Sequence, residues 1–346
     1  MLERYSFPML SERPALIVGD KAGPKAGRSE RLKVADEISK MLQTWGMCPE
    51  VFHTRWPGDE TTRGEEAIKK GYTMLVMFTG DGGVLGGAKA ILNKEQEVAL
   101  SGVPGKERKR VALATVQIGT VNNFAYDLRM PEVTAKTTPE TVEDIAISLL
   151  GGHREEMDYG EIEDALGEKH IFMQNADAGY FAHSMNMVHH PGEEKTNDGQ
   201  MPFIIQGLRE LFTYRGVPVE LTVDGGETES FSLVEALSAN IQRAYVSLDP
   251  EIQANDGRLN GYFFKGHRAW EIVPRGLAVL ALRGRSNFLA PSTPFRETVL
   301  ESAIPLYFET DGEPRGKTDR LVTRVKERAI VVFIPNNKGI KILGRS

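Results

Sequence analysis

Three short segments bring together residue types that handle phosphate and protons. The first, Thr79-Gly80-Asp81-Gly82-Gly83, ends an apolar run and opens an amphipathic one. Glycines before a helix let backbone N–H groups approach a phosphate, and the helix N-terminus adds favourable partial charge. Asp81 would repel that phosphate unless it works through a metal, a hydroxyl or a lysine. A tight turn without a ligand fits the same residues. The second segment, Gly119-Thr120-Val121-Asn122-Asn123-Phe124, also follows an apolar run. Its Thr and Asn side chains can donate to phosphate or ribose, and paired Asn residues also make ordinary turns. The third, Thr310-Asp311-Gly312-Glu313, carries the Asp-Gly pair of a two-residue hairpin.

The elements around these segments change character midway. In the first half, short apolar runs alternate with helical periodicity: Ala15–Gly19, Pro49–Thr54, Tyr72–Phe78 and Val111–Gly119 read as strands. Leu32–Gly46, Thr61–Gly71 and the stretch after the glycine cluster read as helices. Continuous apolar strands are those covered on both faces, so a parallel α/β sheet is expected, with the site at strand C-terminal ends. From about Asp158 the pattern becomes short strands separated by turn residues, interrupted by one helix at Phe203–Arg215. That pattern predicts an antiparallel sandwich-like domain. The texture changes between residues 130 and 157.

Composition narrows the function classes. The 346 residues exceed one ordinary domain, and 40% hydrophobic with 26% charged residues describes a globular chain. With 42 Lys plus Arg against 48 Asp plus Glu, the formal charge is −6, a poor match to broad nucleic-acid binding. A single cysteine, Cys48, excludes an internal disulfide framework and a multi-cysteine zinc site. No apolar run approaches the ~20 residues of a membrane helix, and the N-terminus MLERYSFPML has no signal-peptide core. A cytoplasmic protein is expected.

Order and spacing of the motifs carry a resemblance. The chain resembles the bacterial diacylglycerol kinase-like lipid kinases, the group that includes sphingosine and ceramide kinases. The family's GGDGT appears as TGDGG (Thr79–Gly83), its GTGNDFA as GTVNNFA (Gly119–Ala125), and its first strand-end loop as GDKAG (Gly19–Gly23). Later matches are EMDYGEI (Glu156–Ile162), FMQNADAGYFA (Phe172–Ala182), PEIQANDGRLN (Pro250–Asn260) and ETDGEP (Glu309–Pro314). The resemblance implies an N-terminal parallel-sheet nucleotide-binding domain, residues 1–130 with the tail 335–346, and a C-terminal antiparallel β-sandwich acceptor domain, residues 131–334.

The resemblance also implies roles. ATP with Mg2+ would bind between the two domains, with contacts at Thr54, Thr79, Gly80, Asp81, Gly82, Gly83, Val84, Leu85, Gly119, Thr120 and Asn122, and Lys21 near the phosphates. Glu313 would be the general base for an acceptor hydroxyl, with Asp81 positioning metal or hydroxyl and Asn123 in the slot of an aspartate. Asp256, with the carbonyls of Gln253 and Arg258, would hold magnesium, with a plain turn as the competing reading. The implied activity is phosphorylation of a lipid hydroxyl, with peripheral membrane contact and a homodimer both open. A soluble alcohol acceptor and an inactive nucleotide- or lipid-binding pseudokinase stand as alternatives. The alternatives draw on the departures: Gly83 for threonine, Leu85-Gly86 for Asn-Glu, Asn123 for aspartate, Gly19-Asp20 for Asn-Pro, and Ala244–Leu248 for a glycine cluster. Elsewhere, His189-His190 reads as a solvated loop, Cys48 as a buried small hydrophobe, and Trp56, Trp270 and Phe263-Phe264 as core. The basic run Lys106–Arg110 reads as a solvated loop or a contact with anionic lipid headgroups.

Overall fold

The structure is a computed structural model. It describes residues 11–19, 28–100, 109–118, 123–128, 130, 133, 137–188, 201–241, 252–272 and 292–334, side chains 28 and 201–204 excepted. Among these, residues up to Met157 and from Ile330 onward form one compact unit, and Asp158–Ala329 another.

The first unit alternates strand and helix: β1 (Pro14–Val18), α1 (Arg28–Thr44), β2 (Glu50–His53), α2 (Asp59–Lys69), β3 (Met74–Phe78), α3 (Asp81–Leu100) and β4 (Ala112–Thr115). The short α4 (Asn123–Asp127) and α5 (Pro139–Leu150) follow. The strands run parallel in the order β2–β1–β3–β4, and Val331 and Val332 of the last strand pair alongside β4. All five β3 residues are fully buried, the reason their run is apolar without alternation. Strand order reverses between β1 and β3, so the loops after these two strands leave in opposite directions. Such a switch point is where open α/β sheets bind ligands.

Small residues set the spacing of the helices. A Cβ on Gly64 would stand 2.7 Å from the Cβ of Ala90, and one on Gly87 2.7 Å from Met77 Sδ. These glycines bring α2 against α3 and α3 against the sheet. Thr138 caps α5, its hydroxyl accepting from Thr141 N at 3.3 Å, with Pro139 at the first helical position. Val142, Ile145, Ala146 and Leu149 of α5 are buried, and α5 packs on α1. Contacts therefore divide the chain at 157/158 and 329/330, against 130/131 and 334/335 read from the sequence. The buried face of α5 and the β4 pairing of Val331 and Val332 draw those residues into the first unit.

The second unit comprises the rest of β5 (His153–Asp164), then β6 (Lys169–Phe172), β7 (Asn175–Gly179), α6 (Tyr180–Val188), α7 (Met201–Glu210), β8 (Val217–Val223), β9 (Thr228–Ala239) and β10 (Leu259–Lys265). A 3-10 turn (Ala269–Ile272), β11 (Thr293–Phe295), β12 (Glu297–Thr310) and most of β13 (Glu313–Ile334) complete it. Pairing is antiparallel. Long β9 and β12 each pair with β8 along one half and with β7 along the other. Phe172, Leu221, Leu233, Phe295, Phe308 and Leu321 lie in the core this encloses. β6 and β7 are separate strands, split around Met173–Gln174. Cys48 is exposed, just past the helix-ending turn at Gly46. Trp56 and Trp270 are about half exposed and Phe263 and Phe264 half-buried, so none of the four is full core. His189-His190 and Ala244–Leu248 lie outside the described residues.

Candidate functional site

The glycine segment is less a loop than the first turn of a helix. α3 begins at Asp81, and the N–H groups of Gly83 and Val84 donate to Gly80 O at 3.0 and 3.1 Å. Only Thr79 and Gly80 link it to β3. Asp81 places a carboxylate at the positive end of its own helix and also reaches a second one. Its Oδ2 accepts from Asn123 N at 3.0 Å and its Oδ1 from Phe124 N at 3.2 Å. The N-terminus of α4 is thereby held against the start of α3, and two of the three segments are joined. That engagement answers the electrostatic objection to a carboxylate here: the Asp81 charge is offset by two backbone donors.

The other positions sort by burial. Thr54, buried at the end of β2, donates its N–H to Val18 O at 3.0 Å. Gly82 is exposed at the tip of the turn. Val84 and Leu85 are buried, so their side chains serve the core and only their backbone is available to a ligand. Lys21, Gly119, Thr120 and Asn122 lie outside the described residues.

Two departures have a steric basis. A Cβ on Gly83 would collide with Thr79 Oγ1 and Cβ and stand 2.9 Å from its Cγ2. The threonine of TGDGG thus occupies, from the strand end, the space beside position 83. A Cβ on Gly86 would stand 2.9 Å from the Cβ of Glu60, and Thr61 Oγ1 donates to Gly86 O at 3.1 Å. α2 seals the position where the family carries a glutamate.

In the second unit, β12 and β13 meet at a two-residue turn, Asp311-Gly312, with φ 48° and 78° and Thr310 paired with Glu313. Both turn residues are left-handed, as a type I′ hairpin requires. The Asp311 carboxylate accepts from Met173 N at 2.7 Å, Gln174 N at 2.9 Å and Asn175 N at 3.0 Å. Fully buried Glu309 accepts from Asn175 Nδ2 at 3.1 Å and from Gly312 N. The tip is thus fixed to the segment before β7, and Glu313 is held just outside it, its side chain 36% exposed. Arg315 lies 3.2 Å from Glu313 Oε2 through Nη2 and donates from Nε to Thr310 Oγ1 at 2.9 Å. Sequence reading assigned no role to Asp311, Glu309, Asn175 or Arg315. The acidic residues flanking the Asp-Gly pair were the available signal.

Gln253, Asp256 and Arg258 lie on one loop, and Asp256 Oδ1 accepts from Arg258 N at 2.9 Å. Behind them stands Asp158, fully buried, accepting from Gly257 N at 2.7 Å and Arg328 N at 2.6 Å. Burial pushes the Asp158 carboxyl above its ordinary range, the charges of Asp256 and Glu327 add to this, and the two N–H donors oppose it. Burial likewise raises Asp256, against the N–H of Arg258. Crowded carboxylates with no sulfur or imidazole ligand suit a hard cation, whose charge would relieve both. Asp164, Glu168 and His170 also offer ligand atoms within 4.8 Å of one another. There Asp164 Oδ1 already receives the N–H groups of Leu166 and Glu168 in a hairpin turn.

The described end of the basic run is engaged. Lys109 Nζ is 2.6 Å from Glu12 Oε1, and Arg110 is held by Glu95 at 2.9 Å and Glu156 at 3.2 Å.

The first unit is a parallel sheet with a glycine-started helix at its switch point, and the second is an antiparallel unit carrying a partly exposed carboxylate on a braced hairpin. Residues 22–162 match the diacylglycerol kinase catalytic domain. That match and the kinase-named relatives support a phosphotransferase acting on an alcohol, and the chain is similar, at low identity, to the diacylglycerol kinase-like lipid kinases. It is 26% identical over 300 residues to the Cronobacter sakazakii protein named "Probable lipid kinase YegS-like", covering 86% of this chain and 90% of that protein. It is 24% identical over 265 residues to the diacylglycerol kinase of Bacillus subtilis, covering 75% and 77%. The fold matches the crystal structure of a diacylglycerol kinase from Bacillus anthracis with a TM-score of 0.62 at 17% identity, over 94% of this chain and 97% of that one.

Proposed function

We propose that this protein transfers the γ-phosphoryl group of ATP to a hydroxyl of a lipid of the diacylglycerol or sphingoid type. The match to a kinase catalytic domain implies ATP use, and the join of Asp81 to the N-terminus of α4 is the observation that carries the rest. It places two helix N-termini together at the switch point, the arrangement that receives phosphates. Gly82 leaves the backbone there open, while Thr54 and Thr79 carry buried hydroxyls. Asn123, in the aspartate slot, begins α4 and offers an amide in place of a charge.

Glu313 is the proposed general base. Its carboxylate takes the proton of the acceptor hydroxyl as that oxygen bonds to the γ-phosphorus, and the bond to the β–γ bridging oxygen breaks to release ADP. Arg315 holds that carboxylate in place from the side. Magnesium bound with the nucleotide would supply charge neutralisation at the phosphates. A second hard cation at Asp256, with the carbonyls of Gln253 and Arg258, would order the loop that Asp158 anchors.

The test is ATP turnover against a panel of lipid and soluble alcohols, wild type beside Glu313→Gln. The variant is expected to lose roughly 10²–10⁴-fold in kcat with nucleotide affinity retained. Equal turnover by both proteins removes Glu313 as base. Turnover only with soluble alcohols replaces the lipid acceptor. ATP binding without turnover on any acceptor supports the pseudokinase reading.

A further inference from the structure

The hairpin of β5 and β6 carries two sets of carboxylates, and only one of them is matched by cations. Its register pairs Ile162 with His170 and Glu163 with Lys169. Continued by one residue, it sets Asp164 opposite Glu168, where Asp164 N donates to Glu168 O at 3.0 Å. Side chains alternate between the faces of a strand, so Glu161 and Glu163 share one face, and Ile162, Asp164, Glu168 and His170 share the other. On the first face Glu161 stands 3.1 Å from Lys326 Nζ and 3.5 Å from Lys169 Nζ, and Glu163 3.0 Å from Arg324 Nη1. The second face continues the core: Ile162 and Phe172 belong to it, and the His170 ring meets Phe308 edge-on, 5.6 Å between centroids.

That core-facing row nevertheless ends in two carboxylates directly opposite one another, a pairing that repels. Among the described residues no Lys or Arg pairs with Asp164 or Glu168; the basic group beside them is His170, its Nε2 3.9 Å from Glu168 Oε2. Asp164 is buried, and its Oδ1 takes the N–H groups of Leu166 and Glu168 at 2.9 Å each, which leaves Oδ2 for another partner. One carboxylate oxygen from each acid and an imidazole nitrogen of His170 lie within 4.8 Å of one another. Donors bound to one ion at about 2.0–2.2 Å stand about 3–4 Å apart. A small movement of the Glu168 side chain, 69% exposed, closes the difference. The donor set selects the ion: an imidazole with two carboxylates suits a borderline divalent metal such as zinc, whereas magnesium favours oxygen alone.

We infer that Asp164, Glu168 and His170 form a binding site for a divalent transition-metal ion of the zinc type, with water completing its coordination. The ion's charge offsets the repulsion of the facing carboxylates and ties the two strands together at their open end. Beside the site, Ala165 N donates to Thr318 Oγ1 at 3.1 Å. Thr318 lies on β13, five residues past Glu313, so the clamped end of the hairpin rests on the strand that leads away from that carboxylate. The site is distinct from the loop of Asp256, which offers oxygen donors alone, and it stands whether or not the acceptor is a lipid.

The experiment is calorimetric titration of the chelator-treated, untagged full chain with Zn2+ in a large excess of Mg2+. Wild type is expected to bind zinc without displacement by magnesium, and its Tm should rise with zinc concentration by mass action. Glu168→Gln, at an exposed position, is expected to keep the metal-free Tm and to bind zinc at least about tenfold more weakly, since even groups that only support a metal ligand account for about 10–100-fold. Asp164→Asn and His170→Gln should lose at least as much, and the zinc-dependent rise in Tm should shrink in all three. Co2+ gives a spectroscopic reading: the visible absorption of the wild-type cobalt complex should weaken in Glu168→Gln at the same cobalt concentration. No zinc binding by wild type, displacement by magnesium, or wild-type affinity in Glu168→Gln overturns the inference. Zinc binding lost in His189→Gln/His190→Gln and retained in Glu168→Gln overturns it too, and assigns the ion to that adjacent pair.

Discussion

At the residue scale, the exchange of Thr and Gly between positions 79 and 83 is the most informative departure from the family pattern. GGDGT and TGDGG each contain one threonine, and the collision of a Cβ at 83 with Thr79 shows that both cannot stand together without movement. Gly83→Thr alone is expected to overpack the turn and cost about 1–3 kcal/mol. Thr79→Gly alone removes a buried hydroxyl and methyl and should weaken ATP binding. The double variant Thr79→Gly/Gly83→Thr should recover stability and nucleotide affinity together, giving a coupling energy on the order of 1–3 kcal/mol. Calorimetric melting and ATP titration of the three variants read the cycle, and additive losses would show that the two positions do not substitute for one another.

At the element scale, the hairpin bearing Glu313 depends on a second carboxylate, one engaged by the backbone of another segment. Asp311 accepts three consecutive backbone N–H groups from the strand-breaking segment Met173–Asn175. Asp311→Ala leaves those buried donors without an acceptor, and its left-handed φ of 48° disfavours alanine further. A loss of about 3 kcal/mol is expected from unpaired donors and backbone strain combined. Asp311→Asn keeps one oxygen and tolerates the conformation, so it should fall between wild type and alanine in urea denaturation. If alanine unfolds at the same urea concentration as wild type, the brace is unimportant. The hairpin itself was legible from Asp-Gly. Its anchor was not, because residues 173–175 and 311 lie far apart in sequence. The start of α3 was read three residues late, since three glycines conceal a helix whose first turn is held by Gly80 O and whose Asp81 suits a helix N-terminus.

At the scale of the whole molecule, stability under acid should follow Glu12. Burial opposes its ionisation, but hydrogen bonds from Arg154, Lys109 and Thr73 outweigh that and hold its carboxyl below the ordinary glutamate value. Arg154 donates to Glu12 from Nε and from Nη2, both at 2.7 Å. A depressed carboxyl contributes stability that is present above its unfolded pKa and lost as pH falls through the folded one. Glu12→Gln is expected to cost about 3 kcal/mol at neutral pH, with Arg154 left underpaired. The gap between variant and wild type should close as the medium is acidified below the ordinary glutamate range. Thermal melts across that range check the sign; a gap that widens on acidification would contradict it. The same pairing explains why the basic run before β4 is a weak candidate for lipid contact, its described members being neutralised from within the first unit.

The sequence by itself determined the alternation of strand and helix, the antiparallel second half and the resemblance to the lipid kinases, because these follow from local periodicity and from motifs read in order. Only the tertiary structure decided which residues those motifs depend on. Asp81 binds α4, Asp311 binds the turn before β7, Asp158 binds the loop of Asp256, and Thr79 fills the space beside Gly83. Each of these is a contact between segments that the chain separates. A carboxylate looks the same in sequence whether it faces a ligand or caps a buried backbone, and the donors that settle the question come from residues remote along the chain.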